Sequence, residues 1–320
     1  MTSELIARLR ASVSGDVRPG EPLAAHTTLK VGGPAAALVR AESSDDLLAV
    51  SEICRELEVP WLILGRGSNL LVSDDGWPGI AVMLGRAFRG AEKGSSEGDS
   101  LGSAVEVLAG GAEPMPILAN TVATWHLGGL AFGVAIPGSV GGAVRMNAGA
   151  HDAQMRDVLV EAEVLRLASG EVQCIPAADL DMSYRHTELP SDAVVVRARL
   201  RLHRASHATL TGEMIEMRQW RRDHQPINEP SCGSVFRNPP GDSAGRLIEA
   251  AGMKGHRVGA AEVSRVHANF ITVSVGARAA DVHRVILDVA EAVERRAGVR
   301  LQTEVVAVGF ATDPSYPRGA

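Results

Sequence analysis

Three observations predict an α+β protein. The stretches 158–167 (VLVEAEVLRL) and 193–202 (AVVVRARLRL) alternate apolar and polar residues, the two-residue period of half-exposed strands. The front two-thirds of the chain is punctuated by glycine turns. The last third adds helical spacing, clearest over 279–298 (AADVHRVILDVAEAVERRAG), where a glycine marks the stop.

Taken in order, the first 20 residues are expected to hold an N-terminal helix, and 49–59 (AVSEICRELEV) has the spacing of an amphipathic one. WLILG (61–65) and IAVML (80–84) read as buried strands. The polar segment 87–104, rich in glycine and serine, reads as an exposed turn. VEVLAGG (105–111) is a strand ending in a turn, and 114–127 a helix with Pro114 in its first turn. After the two alternating strands, 209–222 turns helical, and 243–253 is a helix that Ser243 can cap. FITVSVG (270–276) and EVVAVGF (304–310) read as strands flanking the long helix. The change of period places a boundary near Leu202–Gly212.

The 320 residues are 45% hydrophobic and 22% charged, the profile of a soluble globular protein with a sizeable core. A net charge of −6 argues against nucleic acid as a partner, while leaving room for an anionic small ligand held by local Arg and Lys. Cys54, Cys174 and Cys232 are too few and too scattered for a disulfide framework or a zinc site, which fits a reducing cytoplasm. His256, His267 and His283 lack a paired ligand spacing, so no metal is expected, and His267 in VHANF reads as a structural histidine. No apolar run is long enough to span a bilayer, and MTSELIARLR has no apolar core of a signal peptide.

Two segments concentrate glycine after apolar runs. In LILGRGSNLLVSDDG (62–76), Gly65 and Gly67 let backbone N–H groups approach a phosphate, with Ser68 and Asn69 as further donors. Leu70 holds the place of a third glycine, so this is not a Rossmann fingerprint. In IPGSVGGAVRMNAGA (136–150), four glycines alternate with Ser139, Arg145 and Asn147, a composition suited to a pyrophosphate. TTLKVGGPA (27–35) offers another close backbone approach. Each loop alone reads equally well as a tight turn; together they favour a dinucleotide.

PSCGSVFRNPP (230–240) sets a cysteine two residues before a serine, between prolines that stiffen the loop. On acidity alone Cys232 is the stronger candidate for chemistry, and Ser234 reads as a turn serine. Arg185 beside Tyr184 reads as a surface ion pair, and Glu304 as a solvated carboxylate beside a strand.

HTTLKVGGPA, GRGSNLLVSDDG, IPGSVGGAVRMNAGA, SYRHTELP, GSVFRNPPG, SAGRLIEAAGMKGHRVGAAEVSRVHANF and LQTEVVAVG follow one another from about residue 26 to about 309. In that order they resemble the UDP-N-acetylenolpyruvoylglucosamine reductases (UDP-N-acetylmuramate dehydrogenases), flavoenzymes of peptidoglycan synthesis. The short link between SYRHTELP and RRDHQPINEPSCGS resembles their second type, which lacks an extra substrate-covering loop.

The resemblance implies an FAD-binding domain of the vanillyl-alcohol-oxidase (PCMH) type over 21–205, in two subdomains of about 21–85 and 86–205. A C-terminal substrate domain would follow over 206–320. It implies that NADPH reduces the flavin and that UDP-N-acetylglucosamine enolpyruvate is then reduced, in a cytoplasmic monomer. Hydride addition to an enolpyruvate leaves negative charge on the α-carbon and carboxylate, which calls for donors at the carboxylate and an acid at the α-carbon. Ser234 matches the family's proton donor, which displaces Cys232 from that role. Arg185 matches its carboxylate-side arginine and Glu304 its catalytic glutamate.

For FAD, the motifs carry over Gly65, Arg66, Gly67, Ser68, Asn69 and Leu70 from the first loop. From the second they carry Pro137, Gly138, Ser139, Gly141, Gly142, Asn147 and Gly149. For the UDP-sugar, the candidates are Tyr184, Arg222, Arg237, Asn238 and Glu262. Four positions depart from the family: Glu262 where glutamine is usual, Ala131 for a glutamate, and Val273 and His26 for asparagines. Two other readings are a flavin oxidoreductase with a different acceptor and a non-catalytic nucleotide-binding relative.

Overall fold

The computed structural model describes residues 2–310. Helices and sheets are mixed along the chain as the α+β class requires. One four-stranded sheet runs in the order Asp16–Pro19, Ala35–Ala41, Trp77–Leu84, Trp61–Ile63.

The chain forms two compact units of interleaved segments. The first takes Met1–Arg18, Leu38–Arg66 and Ala81–Trp220; the second takes Pro19–Ala37, Gly67–Ile80 and Arg221–Ala320. The boundary drawn from sequence at Leu202–Gly212 falls inside the first unit, whose last residue lies within the helix His207–His224.

The first unit is organised on an antiparallel sheet ordered Val172–Pro176, Leu159–Arg166, Ala193–Arg204, Ala104–Gly110, Ala91–Ser96. Strict burial of every second residue in Ala104–Gly110 follows from the pleat: Val105, Val107 and Ala109 face the core. Across the three central strands Ala162, Ala198 and Ala109 lie in register. The helix Val140–Arg145 approaches this sheet so closely that a Cβ on Gly141 would lie 3.0 Å from Val195 O and 3.1 Å from Gly111 O.

The strand Ala91–Ser96 corrects the expectation of a turn over 87–104. Its residues are almost all exposed, so it shows no alternation, and it is placed by its pairing with Ala104–Gly110. The helix Val140–Arg145 was likewise hidden within a stretch read as a glycine loop.

The second unit holds an antiparallel sheet ordered Ser231–Ser234, Phe270–Val273, Ala261–Val263, Arg257–Val258. The helix Ala279–Ala297 buries Val282, Val285, Ile286, Val289 and Val293 at helical spacing in the same core. Its first turn is capped by Asp74, which accepts from the N–H groups of Ala279 and Ala280 at 2.8 and 3.0 Å. Leu29, Val31 and Leu71 complete this core from distant stretches of chain. Val306–Val308 pairs in parallel with Leu70–Val72.

Candidate active site

Ser234 ends an irregular strand. In a regular strand Cys232 and Ser234 would share a face. Here Ser231 pairs with Thr272 and Ser234 with Phe270, so the Ser231–Ser234 strand holds one extra residue, and Gly233 takes a left-handed φ of +76°. This is a glycine bulge, a device that re-aims a side chain. Cys232 is consequently 3% exposed in the core, and burial pushes its thiol up to about 12. Ser234 instead lines an open cleft of about 370 Å³ with Asn238, Ser243, Arg246, Glu249, Lys254 and His267 among its neighbours.

Two further contacts hold that strand. Asn269, 4% exposed, accepts from Phe236 N–H through Oδ1 at 3.0 Å and donates from Nδ2 to Phe236 O at 2.8 Å. Its own carbonyl accepts from Val235 N–H at 2.9 Å. On the other side Glu304 N–H donates to Val235 O at 2.7 Å, so the residues at 234 and 304 converge within one unit although 70 positions apart. The carbonyl of Glu304 accepts from Asn69 Nδ2 at 3.0 Å. The Glu304 peptide is thereby fixed at both ends.

Arg185 belongs to the first unit. It has a left-handed φ of +57°, a conformation that bulky residues rarely adopt, in a turn closed by mutual Ser183–His186 backbone bonds of 3.0 and 3.2 Å. Its guanidinium lies 5.2 Å from the ring centroid of the exposed Tyr184 and donates to Gly149 O at 3.1 Å. Asn147, fully buried, donates to Ser183 O at 2.8 Å and accepts from Arg156 N–H at 3.0 Å. Asn147 and Gly149, expected as cofactor residues, therefore brace the arginine turn. Arg145 spends its guanidinium on the carbonyls of Pro190 and Ala193, at 3.1 and 2.6 Å.

The remaining cofactor candidates divide by what their backbone does. Gly65 and Gly142 are exposed, and a Cβ on either would meet only Ser139 Oγ, at 3.1 and 3.5 Å. Arg66 Nε donates to Pro137 O at 2.8 Å, tying the two glycine loops together around Ser139. The N–H groups of Gly65, Arg66, Gly138 and Ser139 donate to no described residue. Free peptide N–H groups beside glycines with an open face make a cradle that fits a dinucleotide phosphate. Gly67 is different: with φ +60°, a Cβ there would sit 2.2 Å from His26 O. Gly67 is thus required by packing and by its backbone conformation, while a side chain at Gly141 would need the two neighbouring carbonyls to give by a few tenths of an ångström. Ser68 is half-buried, and Leu70 begins the strand paired with Val306–Val308.

Among the substrate candidates, Asn238 lines the Ser234 cleft and caps the helix Ala244–Ala250 by accepting from Ala244 N–H at 3.0 Å. Arg237 is half-buried, and its Nε has no hydrogen-bond partner among the described residues. Arg222 is exposed near the end of its helix. Glu262 is held in an ion triad between Arg257 and Arg265, which keep its carboxyl below the usual range, and it is not among the cleft-lining residues. Of the other departures, His26 pairs with Glu21 at 2.8 Å, Val273 is buried in the core, and Ala131 packs half-buried against a small apolar cluster. Lys254, Ser243 and His267 line the cleft without having been singled out for it; the signal available was their position in GMKGHRVG, PPGDSAG and VHANF around one sheet. Among the described residues no group of three or more His, Cys, Asp or Glu could hold a metal ion, and no helix is long and apolar enough to cross a membrane.

Residues 35–175 match a family model described as an FAD binding domain. Residues 225–308 match one described as UDP-N-acetylenolpyruvoylglucosamine reductase, C-terminal domain. The chain is 41% identical to UDP-N-acetylenolpyruvoylglucosamine reductase 2 of Symbiobacterium thermophilum, over 98% of this chain and 99% of that protein. It is 38% identical to the reductase of Bacillus velezensis, over 95% of this chain and 98% of the relative. Its structure is similar to the crystal structure of the Thermus caldophilus UDP-N-acetylenolpyruvylglucosamine reductase, with a TM-score of 0.75 at 35% identity, covering 92% of this chain and 98% of that one.

Proposed function

Because the chain belongs to the UDP-N-acetylenolpyruvoylglucosamine reductase family of FAD-dependent oxidoreductases, we propose that it reduces the enolpyruvyl group of UDP-N-acetylglucosamine enolpyruvate to the lactyl ether of UDP-N-acetylmuramate. The reductant is NADPH and the setting is cytoplasmic peptidoglycan precursor synthesis by a monomer. FAD would supply the hydride chemistry, and Gly65, Arg66, Gly138, Ser139 and Gly142 are the residues that would hold its phosphates.

The protein's own groups do the rest. Arg185 holds the enolpyruvyl carboxylate, where a planar guanidinium can donate twice and offset the charge that builds up on hydride addition. Ser234 Oγ–H gives its proton to the α-carbon. Serine is a weak acid in water, but the carbanion-like carbon it protonates is strongly basic, so the transfer runs downhill. Glu304 orients the carboxylate side of the site. The single observation that carries this reading is the convergence of positions 234 and 304 beside an open cleft, with the Glu304 N–H bonded to the carbonyl next after Ser234.

Ser234→Ala tests it. Flavin bleaching by NADPH stays within about twofold of normal, whereas reoxidation by the enolpyruvyl sugar slows by at least about 10²-fold, the scale of a lost general acid. Equal slowing of both half-reactions removes Ser234 from the proton-donor role.

A further inference from the structure

His267 is tethered on one side only. Its Nδ1 accepts from the backbone N–H of Asn269 at 3.2 Å. A backbone N–H can only donate, so Nδ1 carries the lone pair and the neutral ring bears its proton on Nε2. The ring packs edge-on against Phe270, centroids 4.8 Å apart, and Cε1 lies close against Gly245, 3.4 Å from where a Cβ there would sit. Nε2–H makes no hydrogen bond among the described residues and is not a buried, unsatisfied atom. A donor of fixed tautomer thus stands at the wall that Ser234 also lines.

The charges around it explain why a neutral donor suits this place. Lys254 pairs with Glu249 at 2.9 Å and Arg246 pairs with Asp242, so the cationic side chains of the cleft are already offset by carboxylates. An imidazolium would add a like charge beside Lys254. Burial, and then Lys254, hold the His267 ring below its usual range, which favours its uncharged form. A neutral N–H can bond an anionic oxygen without that repulsion.

We propose that His267 is a substrate-contacting residue whose Nε2–H donates to an anionic oxygen, phosphate or carboxylate, of the UDP-sugar in the Ser234 cleft. Asn269 is the positioning residue behind it: one residue sets the tautomer of His267 and clamps the peptide of Phe236 beyond Ser234. This inference rests on the functional reading above for the identity of the ligand.

Two variants separate donor from tether. In His267→Gln the amide nitrogen reaches the place of Nε2 and the tether to Asn269 is lost. In His267→Asn the amide oxygen takes the place of Nδ1 and the cleft donor is lost. On the FAD-loaded full chain, UDP binding is measured by titration calorimetry, alongside KM for the enolpyruvyl sugar and the rate of flavin bleaching by NADPH. Loss of a hydrogen bond to a charged acceptor corresponds to roughly tenfold to a hundredfold. His267→Asn is therefore expected to weaken binding by at least about tenfold, His267→Gln by less than about threefold, with bleaching unchanged in both. Weakening in both UDP affinity and KM assigns the contact to a phosphate; weakening in KM alone assigns it to the carboxylate. The reverse order, with Gln worse than Asn, makes the histidine a structural tether and overturns the proposal, as does wild-type behaviour of both variants. If the wild type binds UDP but is not reoxidised by the sugar, the functional reading fails and the order of UDP affinities still decides the role of His267. A wild type that does neither overturns both.

Discussion

Cys232 and Ser234 are separated by Gly233 alone, yet one is a core residue and the other faces a cleft. The difference lies in the left-handed φ of Gly233 and the extra residue it introduces. A Cβ at Gly233 would meet nothing within 4 Å, so Gly233→Ala carries a conformational cost only, about 1–2 kcal/mol by urea unfolding. A cost below about 0.3 kcal/mol would mean the strand has another way to turn. The thiols give a second test. Cys54 and Cys232 are buried and pushed up to about 12, while Cys174 is exposed. One thiol in three is expected to react with a chromogenic disulfide in the native protein at pH 8, and all three in denaturant. Buried Cys232 also ties stability to pH: below the unfolded-state value of about 8.5, thiols in both states are protonated and its contribution is complete. Between there and about 12 the unfolded chain loses its proton first, so stability falls as pH rises, by at most about 1.4 kcal/mol per unit for this group. Stability that rises across that window would contradict a protonated, buried Cys232.

Each element that carries a candidate catalytic residue is held by an asparagine. Asn269 clamps the strand after Ser234, Asn69 bonds the carbonyl of Glu304, and Asn147 anchors the turn of Arg185. An amide both donates and accepts, so one side chain can satisfy two backbone groups that would be costly to bury unpaired. Asn269→Ala leaves both polar groups of the Phe236 peptide unsatisfied and is expected to lower stability by about 2–4 kcal/mol in urea unfolding. A loss under about 0.5 kcal/mol would show that water replaces the amide. At this scale sequence reading met its limits. The helix Ala279–Ala297 and the strands Leu159–Arg166 and Ala193–Arg204 were legible because their burial is periodic. Ala91–Ser96 was not, because an edge strand exposed on nearly every residue has no period to read. Asn147 and Gly149 were legible as a motif, but their bonds to the Arg185 turn were not, because partners 36 positions apart in sequence meet only in the fold.

For the whole molecule, the motif order along the chain carried the family, and the family models over 35–175 and 225–308 agree with it. What the order could not convey is the interleaving, because a strand or loop is assigned to a unit by its partners and not by its place in sequence. The second unit draws Leu29, Val31 and Leu71 into its core, the strand Leu70–Val72 into a pair with Val306–Val308, and Asp74 onto the start of its long helix. A fragment spanning 221–320 lacks all of these. It is expected to show no cooperative thermal transition where the full chain melts cooperatively; a sharp transition in the fragment would mean the unit's core is sufficient without them.

The central claim, reduction of an enolpyruvyl sugar through a bound flavin, is tested most directly by an anaerobic visible spectrum of the purified wild-type protein. NADPH is added first, then UDP-N-acetylglucosamine enolpyruvate. The account predicts that the flavin band bleaches with NADPH and returns only with the sugar, with UDP-N-acetylmuramate formed in equal amount. A band that bleaches and stays bleached in the presence of the sugar would contradict the substrate assignment while leaving the FAD-binding fold in place.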